Sequence, residues 1–132
     1  MEYYESLEKI KKSNKPILLY FTSSKSINCR IVEKTIQNSV KIKNLIKTDY
    51  DLIVLYTDDR TLVKREKWII DEKKQTLNTI GKINGYLQKK KFQNNLQPLF
   101  VITDKTEKIY GMIGLVSKDK FIKFLENNEK RN

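Results

Sequence analysis

The chain has 132 residues, which is enough for one domain with a hydrophobic core and too few for two, so we expect a single domain over residues 1–132. Hydrophobic residues make up 39% and charged residues 33% of the chain, as is typical of globular proteins. One cysteine and no histidine exclude an internal disulfide, a four-cysteine zinc site and histidine-based catalysis. We therefore expect no cofactor and no metal.

The formal net charge is +11, from 27 basic and 16 acidic residues, which suggests nucleic acid or anionic lipid as a partner. Lysines are spread along the whole chain, however, and only Lys89-Lys90-Lys91 forms a tight cluster. A biased composition explains the charge better, so a basic nucleic-acid-binding module stays the weaker alternative. No apolar run approaches the ~20 residues of a membrane span, and residues 1–5 are too acidic and polar for a signal peptide.

Apolar spacing predicts helix, strand, helix and strand in the first half of the chain. Residues 3–10 have helical spacing, and residues 17–21 form an apolar run that suits a strand covered on both faces. Residues 27–46 fit one long helix with a bend near residues 38–39. Residues 51–56 predict a second buried strand.

In the second half, residues 60–79 are irregular and predict a small hairpin extension. Apolar spacing then indicates a helix over residues 80–92 and a β-hairpin whose two strands span residues 98–103 and 108–113. Ser117 is a good N-cap for a final helix, and a solvated tail is expected from Asn127. This order resembles the thioredoxin fold, an α/β fold with a central mixed β-sheet flanked by helices, here with a small insertion around residues 60–79.

A single cysteine lies at the position where a redox protein would carry a pair. The first strand is followed by a polar turn and then by Ser26-Ile27-Asn28-Cys29 at the start of a helix. This is the layout of a thioredoxin-like redox site, which requires Cys-x-x-Cys. Here Ser26 stands at the first position, and Cys29 is the only cysteine in the chain.

Over nearly its whole length, the chain resembles the thioredoxin-like domain of bacterial thiol:disulfide interchange proteins, most closely the forms found in Bacteroidetes. The resemblance is carried by residues 14–16 before the first strand, 21–30 at the site, 49–59 at the second strand and 97–100 before the hairpin. The segment up to residue 82 is similar to an insertion of that subgroup. The resemblance implies the thioredoxin fold and a thiol–disulfide site.

In this family the first cysteine attacks a partner disulfide, the second resolves the mixed disulfide, and a cis-proline loop presents its backbone to the partner. The resemblance therefore places Ser26 at the nucleophile position, Cys29 at the resolving position and Pro98 at the cis-proline, with Lys25 and Gln97 beside them as partner-binding residues. A serine hydroxyl cannot form a disulfide. We expect a protein that lacks dithiol oxidoreductase activity and retains binding of a protein or peptide partner.

Two further departures accompany Ser26. Tyr20 stands where many thioredoxins hold a buried acid, and Lys25 stands where an aromatic residue or glycine is usual. They favour natural loss of the motif over an engineered serine. The alternative is a monothiol redox protein in which Cys29 works with glutathione or a partner thiol, its thiolate favoured by Lys25 and Arg30 if they point inward. Otherwise Cys29 is a small, partly buried apolar side chain.

Two remaining interpretations concern metal binding and compartment. Asp58-Asp59 could form a metal-binding carboxylate pair, but adjacent strand residues point to opposite faces, so we expect a strand end and a turn. The family resemblance implies the periplasm. Because residues 1–5 do not resemble a signal peptide, a cytoplasmic location stays open.

Overall fold

The computed structural model describes residues 2–128, which contain five α-helices and six β-strands. The helices are α1 (Tyr3–Ile10), α2 (Ile27–Gln37), α3 (Val40–Asp49), α4 (Ile80–Phe92) and α5 (Lys118–Asn128). The strands are β1 (Ile17–Thr22), β2 (Asp51–Tyr56), β3 (Ile69–Ile70), β4 (Thr76–Leu77), β5 (Leu99–Thr103) and β6 (Ile109–Ile113).

The central sheet has the strand order β2-β1-β5-β6 and is mixed. Strands β1 and β2 run parallel, while β5 pairs antiparallel with both β1 and β6. Every residue of β1 is buried, because this strand lies inside the sheet and both of its faces are covered. The α/β thioredoxin fold predicted from the order of elements is confirmed.

Two hydrophobic cores lie on opposite faces of this sheet, since successive residues of a strand alternate between faces. Leu19 and Phe21 point into one core, against residues of α1 and α4. Leu18 and Tyr20 point into the other, against residues of α2, α3 and α5. The helices therefore cover both faces of β1, whose carboxyl end leads directly into α2.

The long helix predicted over residues 27–46 is wrong: α2 ends at Gln37 and α3 begins at Val40. Ser39 has an extended backbone, with φ −119° and ψ 107°, and its Oγ accepts a hydrogen bond from the N–H of Ile42 at 3.1 Å. Serine is a preferred N-cap because its side chain satisfies an amide that a helix start leaves unpaired. The apolar period continues across this break, which is why spacing alone predicted one helix.

The prediction of a second strand over residues 51–56 is correct in its bounds, but this strand is buried on only one face. Ile53 and Leu55 point into the core, while Leu52, Val54 and Tyr56 are exposed. Within residues 2–128, β1 is the only strand that pairs with β2, so β2 forms an edge of the sheet. The helices on that side cover this second face only in part, so its side chains stay 37–46% exposed.

The final helix also runs further than predicted. Ser117 caps α5 as expected, with its Oγ accepting from the N–H of Lys120 at 3.3 Å. The solvated tail was expected from Asn127, but α5 continues to Asn128, which is buried and donates from Nδ2 to the Phe124 carbonyl at 2.8 Å. The rest of the predicted tail, residues 129–132, lies outside the described residues.

The segment between β2 and α4 forms the predicted hairpin extension. Strands β3 and β4 pair antiparallel, and Leu62 forms a β-bridge with Thr79. Partly buried apolar residues attach the extension to the core of α1 and α4, namely Val63, Ile69 and Leu77. The extension is thus a packed addition on one face of the sheet.

Candidate functional site

The turn that joins β1 to α2 is held in place by Asp58, which follows the neighbouring strand β2. The Asp58 carboxylate accepts hydrogen bonds from the Ser24 N–H, at 3.1 and 3.2 Å, and from the Ser24 hydroxyl. These bonds hold the pKa of Asp58 below its usual range. Among residues 2–128, no group of three or more His, Cys, Asp or Glu side chains is placed to hold a metal ion. Because both of its oxygens accept hydrogen bonds from Ser24, Asp58 stabilises this turn.

Ser26 is the N-cap of α2. Its backbone is extended, with φ −86° and ψ 121°, and its Oγ accepts a hydrogen bond from the Cys29 N–H at 3.2 Å. The Ser26 N–H donates in turn to the Ser23 carbonyl at 3.2 Å. The hydroxyl at the predicted nucleophile position thus stabilises the start of a helix, the role for which serine is preferred.

Cys29 lies in the first turn of α2 and is fully buried, with a free thiol. The expectation of a partly buried cysteine is therefore corrected: none of its surface is accessible. Lys25 and Arg30 are exposed. The Arg30 guanidinium donates to the Ser24 carbonyl at 2.8 Å and to the Glu33 carboxylate at 2.8 Å. Arg30 is thus occupied by partners other than the thiol.

Glu33 is a residue of this region that sequence reasoning missed. It lies one helical turn after Cys29 and accepts a hydrogen bond from the Tyr20 hydroxyl at 2.7 Å. Burial acts against the ionised carboxylate, but the hydrogen bonds from Arg30 and Tyr20 outweigh it, so the pKa of Glu33 is lowered. Burial also raises the pKa of Tyr20 well above its usual range. The spacing of four residues from Cys29 was the signal that could have found Glu33.

The position of the Tyr20 side chain explains how the fold accommodates a tyrosine where many thioredoxins hold an acid. Its ring stacks on Phe100 at a centroid distance of 4.4 Å, and its hydroxyl reaches Glu33 on α2. A carboxylate is therefore present in this region, but it belongs to the helix and it forms an ion pair with Arg30.

The loop before β5 contains Pro98, which is buried, and the Gln97–Pro98 peptide bond is cis. Gln88 of α4 holds this loop and is itself fully buried. The Gln88 Nε2 donates to the Leu96 carbonyl at 2.7 Å, and the Gln88 Oε1 accepts from the Gln97 Nε2 at 3.0 Å. Sequence reasoning missed Gln88, although a polar residue next to Leu87 on a helix that faces the core was a usable signal.

An open groove of about 410 Å³ lies beside the cis-proline loop. It is lined by Asn28, Asn94, Leu96, Gln97, Pro98, Leu99 and residues 112–115. Among the predicted site residues, Gln97 and Pro98 line the groove, whereas Lys25, Ser26 and Cys29 do not. Asn28 connects the groove to the start of α2, because it directly precedes Cys29.

Among residues 2–128, no charged side chain lines the groove. Its polar groups are side-chain amides and backbone, and several of its apolar side chains are largely exposed: Leu96 at 69%, and Met112 and Leu115 at 45% each. A concave surface with apolar side chains and a few hydrogen-bonding groups is typical of a binding site. The lining of the groove is therefore uncharged and partly apolar.

The tight lysine cluster is largely engaged by carboxylates. Lys90 Nζ lies 2.7 Å from a Glu72 oxygen, and Lys91 Nζ lies 2.9 Å from a Glu107 oxygen.

Among residues 2–128, no helix has both the length and the apolar character needed to cross a membrane.

A mixed four-stranded sheet between two helical layers, with a cysteine in the first turn of α2 and a cis-proline before β5, defines a protein of the thioredoxin class. Residues 3–129 match the family described as Thioredoxin-like domain, and the chain belongs to this family.

Solved structures share this fold. A structure titled "DsbH Oxidoreductase" is 19% identical with a TM-score of 0.70, and the match covers 100% of this chain and 84% of that one. A thioredoxin from Thermus thermophilus is 15% identical with a TM-score of 0.65, covering 96% and 82%. The reduced C-terminal domain of DsbD from Neisseria meningitidis is 16% identical with a TM-score of 0.59, covering 95% and 91%. No curated protein sequence matches the chain.

Proposed function

We propose that this thioredoxin-like protein binds an extended polypeptide in the groove beside Pro98 and does not carry out a dithiol–disulfide cycle. The single observation that carries the proposal is the division of roles at the start of α2. Ser26 is a helix cap, Cys29 is fully buried, and the groove beside them is open. Binding and redox chemistry, which the family combines at one place, are thus separable here.

The lining of the groove supports a peptide as the ligand. Thioredoxin-like proteins receive an extended chain as an added strand beside the cis-proline, where backbone hydrogen bonds give affinity and side-chain pockets give specificity. Amide side chains such as Asn28 and Gln97 can pair with a peptide backbone, and Met112 and Leu115 offer contacts to an apolar side chain. We therefore expect a preference for uncharged apolar segments.

The loss of the dithiol cycle is tested by restoring the missing thiol. The natural protein should not accelerate the reduction of insulin by dithiothreitol above background. Ser26→Cys creates the Cys-x-x-Cys spacing on a helix N-terminus, where the helix dipole favours a thiolate, and it should introduce insulin reduction. Lys25→Cys is the matched control, because it adds a thiol to the same turn at the wrong spacing. If the natural protein reduces insulin faster than Cys29→Ala does, the proposal is wrong.

The monothiol alternative depends on access to Cys29. Because the thiol is fully buried, its reaction with oxidised glutathione requires local opening of α2. We expect intact-mass spectrometry to show no glutathione adduct on the folded protein and one adduct after denaturation. A stoichiometric adduct under native conditions would favour the monothiol function instead.

Binding in the groove is tested by NMR with a neutral apolar decapeptide as the probe. The backbone amide signals of groove residues should shift, Asn28 and Gly114 among them, and Met112→Asp should abolish these shifts. Ile109→Asp is the control, because Ile109 is an exposed apolar residue of the same strand β6 that does not line the groove. Shifts confined to another surface, or equal binding by both variants, would contradict the assignment.

A duplex DNA titration at low and high salt tests the alternative of a basic nucleic-acid-binding module, which requires binding that weakens steeply as salt rises.

A further inference from the structure

The outer edge of the sheet at β2 has apolar residues on a face where a folded monomer usually keeps polar ones. The exposed fraction is 46% for Leu52, 37% for Val54 and 41% for Tyr56, and these residues alternate along the strand. Edge strands with exposed apolar side chains readily pair with another strand, and proteins normally protect them with charges or prolines. Between Asp51 and Tyr56, β2 contains neither a lysine nor a proline.

The backbone of β2 also has groups available at this edge. The Asp51 N–H donates to the carbonyl of Pro16, just before β1, at 3.0 Å. The Thr57 N–H donates to the carbonyl of Thr22, at the end of β1, at 2.9 Å. Because backbone groups alternate between the two sides of a strand, the groups of Leu52, Val54 and Tyr56 point away from β1. The Tyr56 carbonyl accepts from the Asn84 Nδ2 at 3.0 Å and keeps a second lone pair.

We propose that the β2 edge binds a second copy of this chain, with the two β2 strands antiparallel about a two-fold axis at Val54. This register pairs Val54 with its symmetry mate and Leu52 with Tyr56 of the other copy. The backbone N–H and carbonyl groups of all three residues point toward the partner strand, so each pair can exchange both backbone hydrogen bonds. The six exposed side chains then form one continuous apolar stripe, which is the cross-strand contact that stabilises sheets.

The charges around β2 favour this antiparallel arrangement of two copies. Leu52 shares a shallow surface groove with Lys15, Asp51 and the exposed Lys43 and Lys47. Asp51 is paired with Lys105, whereas among residues 2–128 neither Lys43 nor Lys47 forms a salt bridge, so this end of the strand is basic on balance. At the other end, Tyr56 is followed by Asp58 and Asp59, and hydrogen bonds lower the pKa of both. A two-fold axis at Val54 brings the basic end of each strand to the acidic end of the other. Such opposite-charge matching favours the correct partner and orientation.

The pairing leaves the groove beside Pro98 accessible. That groove is lined by residues of β5 and β6, whereas β2 lies at the opposite edge of the sheet. An isologous contact through one short strand is small, and interfaces below about 1,200 Å² form weak or transient assemblies. We therefore expect a reversible dimer that dissociates on dilution.

Sedimentation velocity from micromolar to millimolar protein tests this inference. The natural protein should show a concentration-dependent monomer–dimer equilibrium, and Val54→Lys, which places two ammonium groups at the two-fold axis, should raise the dimer Kd at least about tenfold. Ile109→Lys is the matched control, because Ile109 is 41% exposed on β6, the other edge strand, and this variant should leave the Kd unchanged. Lys47→Glu should also weaken the dimer, and Lys82→Glu, on α4, should not.

Cross-linking tests the register without relying on the stability of a charged variant. Opposed residues in a hydrogen-bonded antiparallel pair have Cα atoms about 5.5 Å apart, within the range that a disulfide spans. Val54→Cys should therefore give a covalent dimer under mild oxidation, and Ile109→Cys should not. A protein that stays monomeric at millimolar concentration would overturn the inference. So would a dimer that survives Val54→Lys, or one that Ile109→Lys disrupts instead.

Discussion

Replacement of Gln88 by leucine should destabilise the protein and loosen the loop beside the groove. The change keeps the volume of the side chain but removes both hydrogen bonds, to the Leu96 carbonyl and from the Gln97 Nε2. A buried polar group that loses its partner costs about 1–3 kcal/mol. Leu96 is exposed, so water can replace part of the hydrogen bonding that the loop loses. The expected loss in the free energy of unfolding therefore stays within this range.

The free energy of unfolding, measured by urea denaturation, checks the expectation for Gln88→Leu. The control is Gln37→Leu, because Gln37 is exposed near the end of α2, and surface substitutions usually change stability by less than about 0.5 kcal/mol. The amide signals of residues 95–98 should also shift in Gln88→Leu alone. If both variants lose the same stability, or if Gln88→Leu loses none, the buried amide does not hold the loop.

Two further predictions concern stability. Gly81→Ala should destabilise by about 1–3 kcal/mol, because its Cβ would lie 2.7 Å from the Asp59 nitrogen. Gly85→Ala, whose Cβ would lie 4.0 Å from the Cβ of Thr57, should stabilise by up to about 1 kcal/mol in the same urea assay. The lowered pKa of Glu33 contributes stability that is present above pH 4.5, the usual value, and is lost as pH falls. The unfolding free energy of Glu33→Gln should therefore decline less over that acidic range, and an unchanged slope would show that the contacts with Arg30 do not matter.

The candidate site was predictable where it depends on residues that are close in sequence. The strand, the turn and the helix start around residues 26–29 follow from local spacing, and these elements lie where they were expected. The role of Ser26 as an N-cap was not predicted and comes from the structure. The loop at Gln97 and Pro98 was assigned from the family resemblance, and both residues line the groove. Lys25, which was placed beside them, is exposed and does not line it.

Residues that act across the fold were not predictable in this way. Gln88 reaches a loop eight residues further along the chain, and Glu33 meets Tyr20 from a neighbouring element. A local signal could have marked each residue but not its partner, because a hydrogen bond between elements depends on how the elements pack. A bend was expected near residues 38–39, but the complete break was not, since the apolar period continues through it while the Ser39 cap interrupts the backbone ladder.

The sequence by itself determined the class of fold and the absence of a second thiol. Apolar runs, turn residues and caps act over a few neighbours, so they indicate the order of the helices and strands and most of their bounds. Only the tertiary structure decided that Cys29 is fully buried, that among residues 2–128 β2 is an edge strand with one partly exposed face, and that an uncharged groove opens beside Pro98. Burial, sheet order and concavity depend on which distant elements meet, and a single chain read in order does not contain that information explicitly.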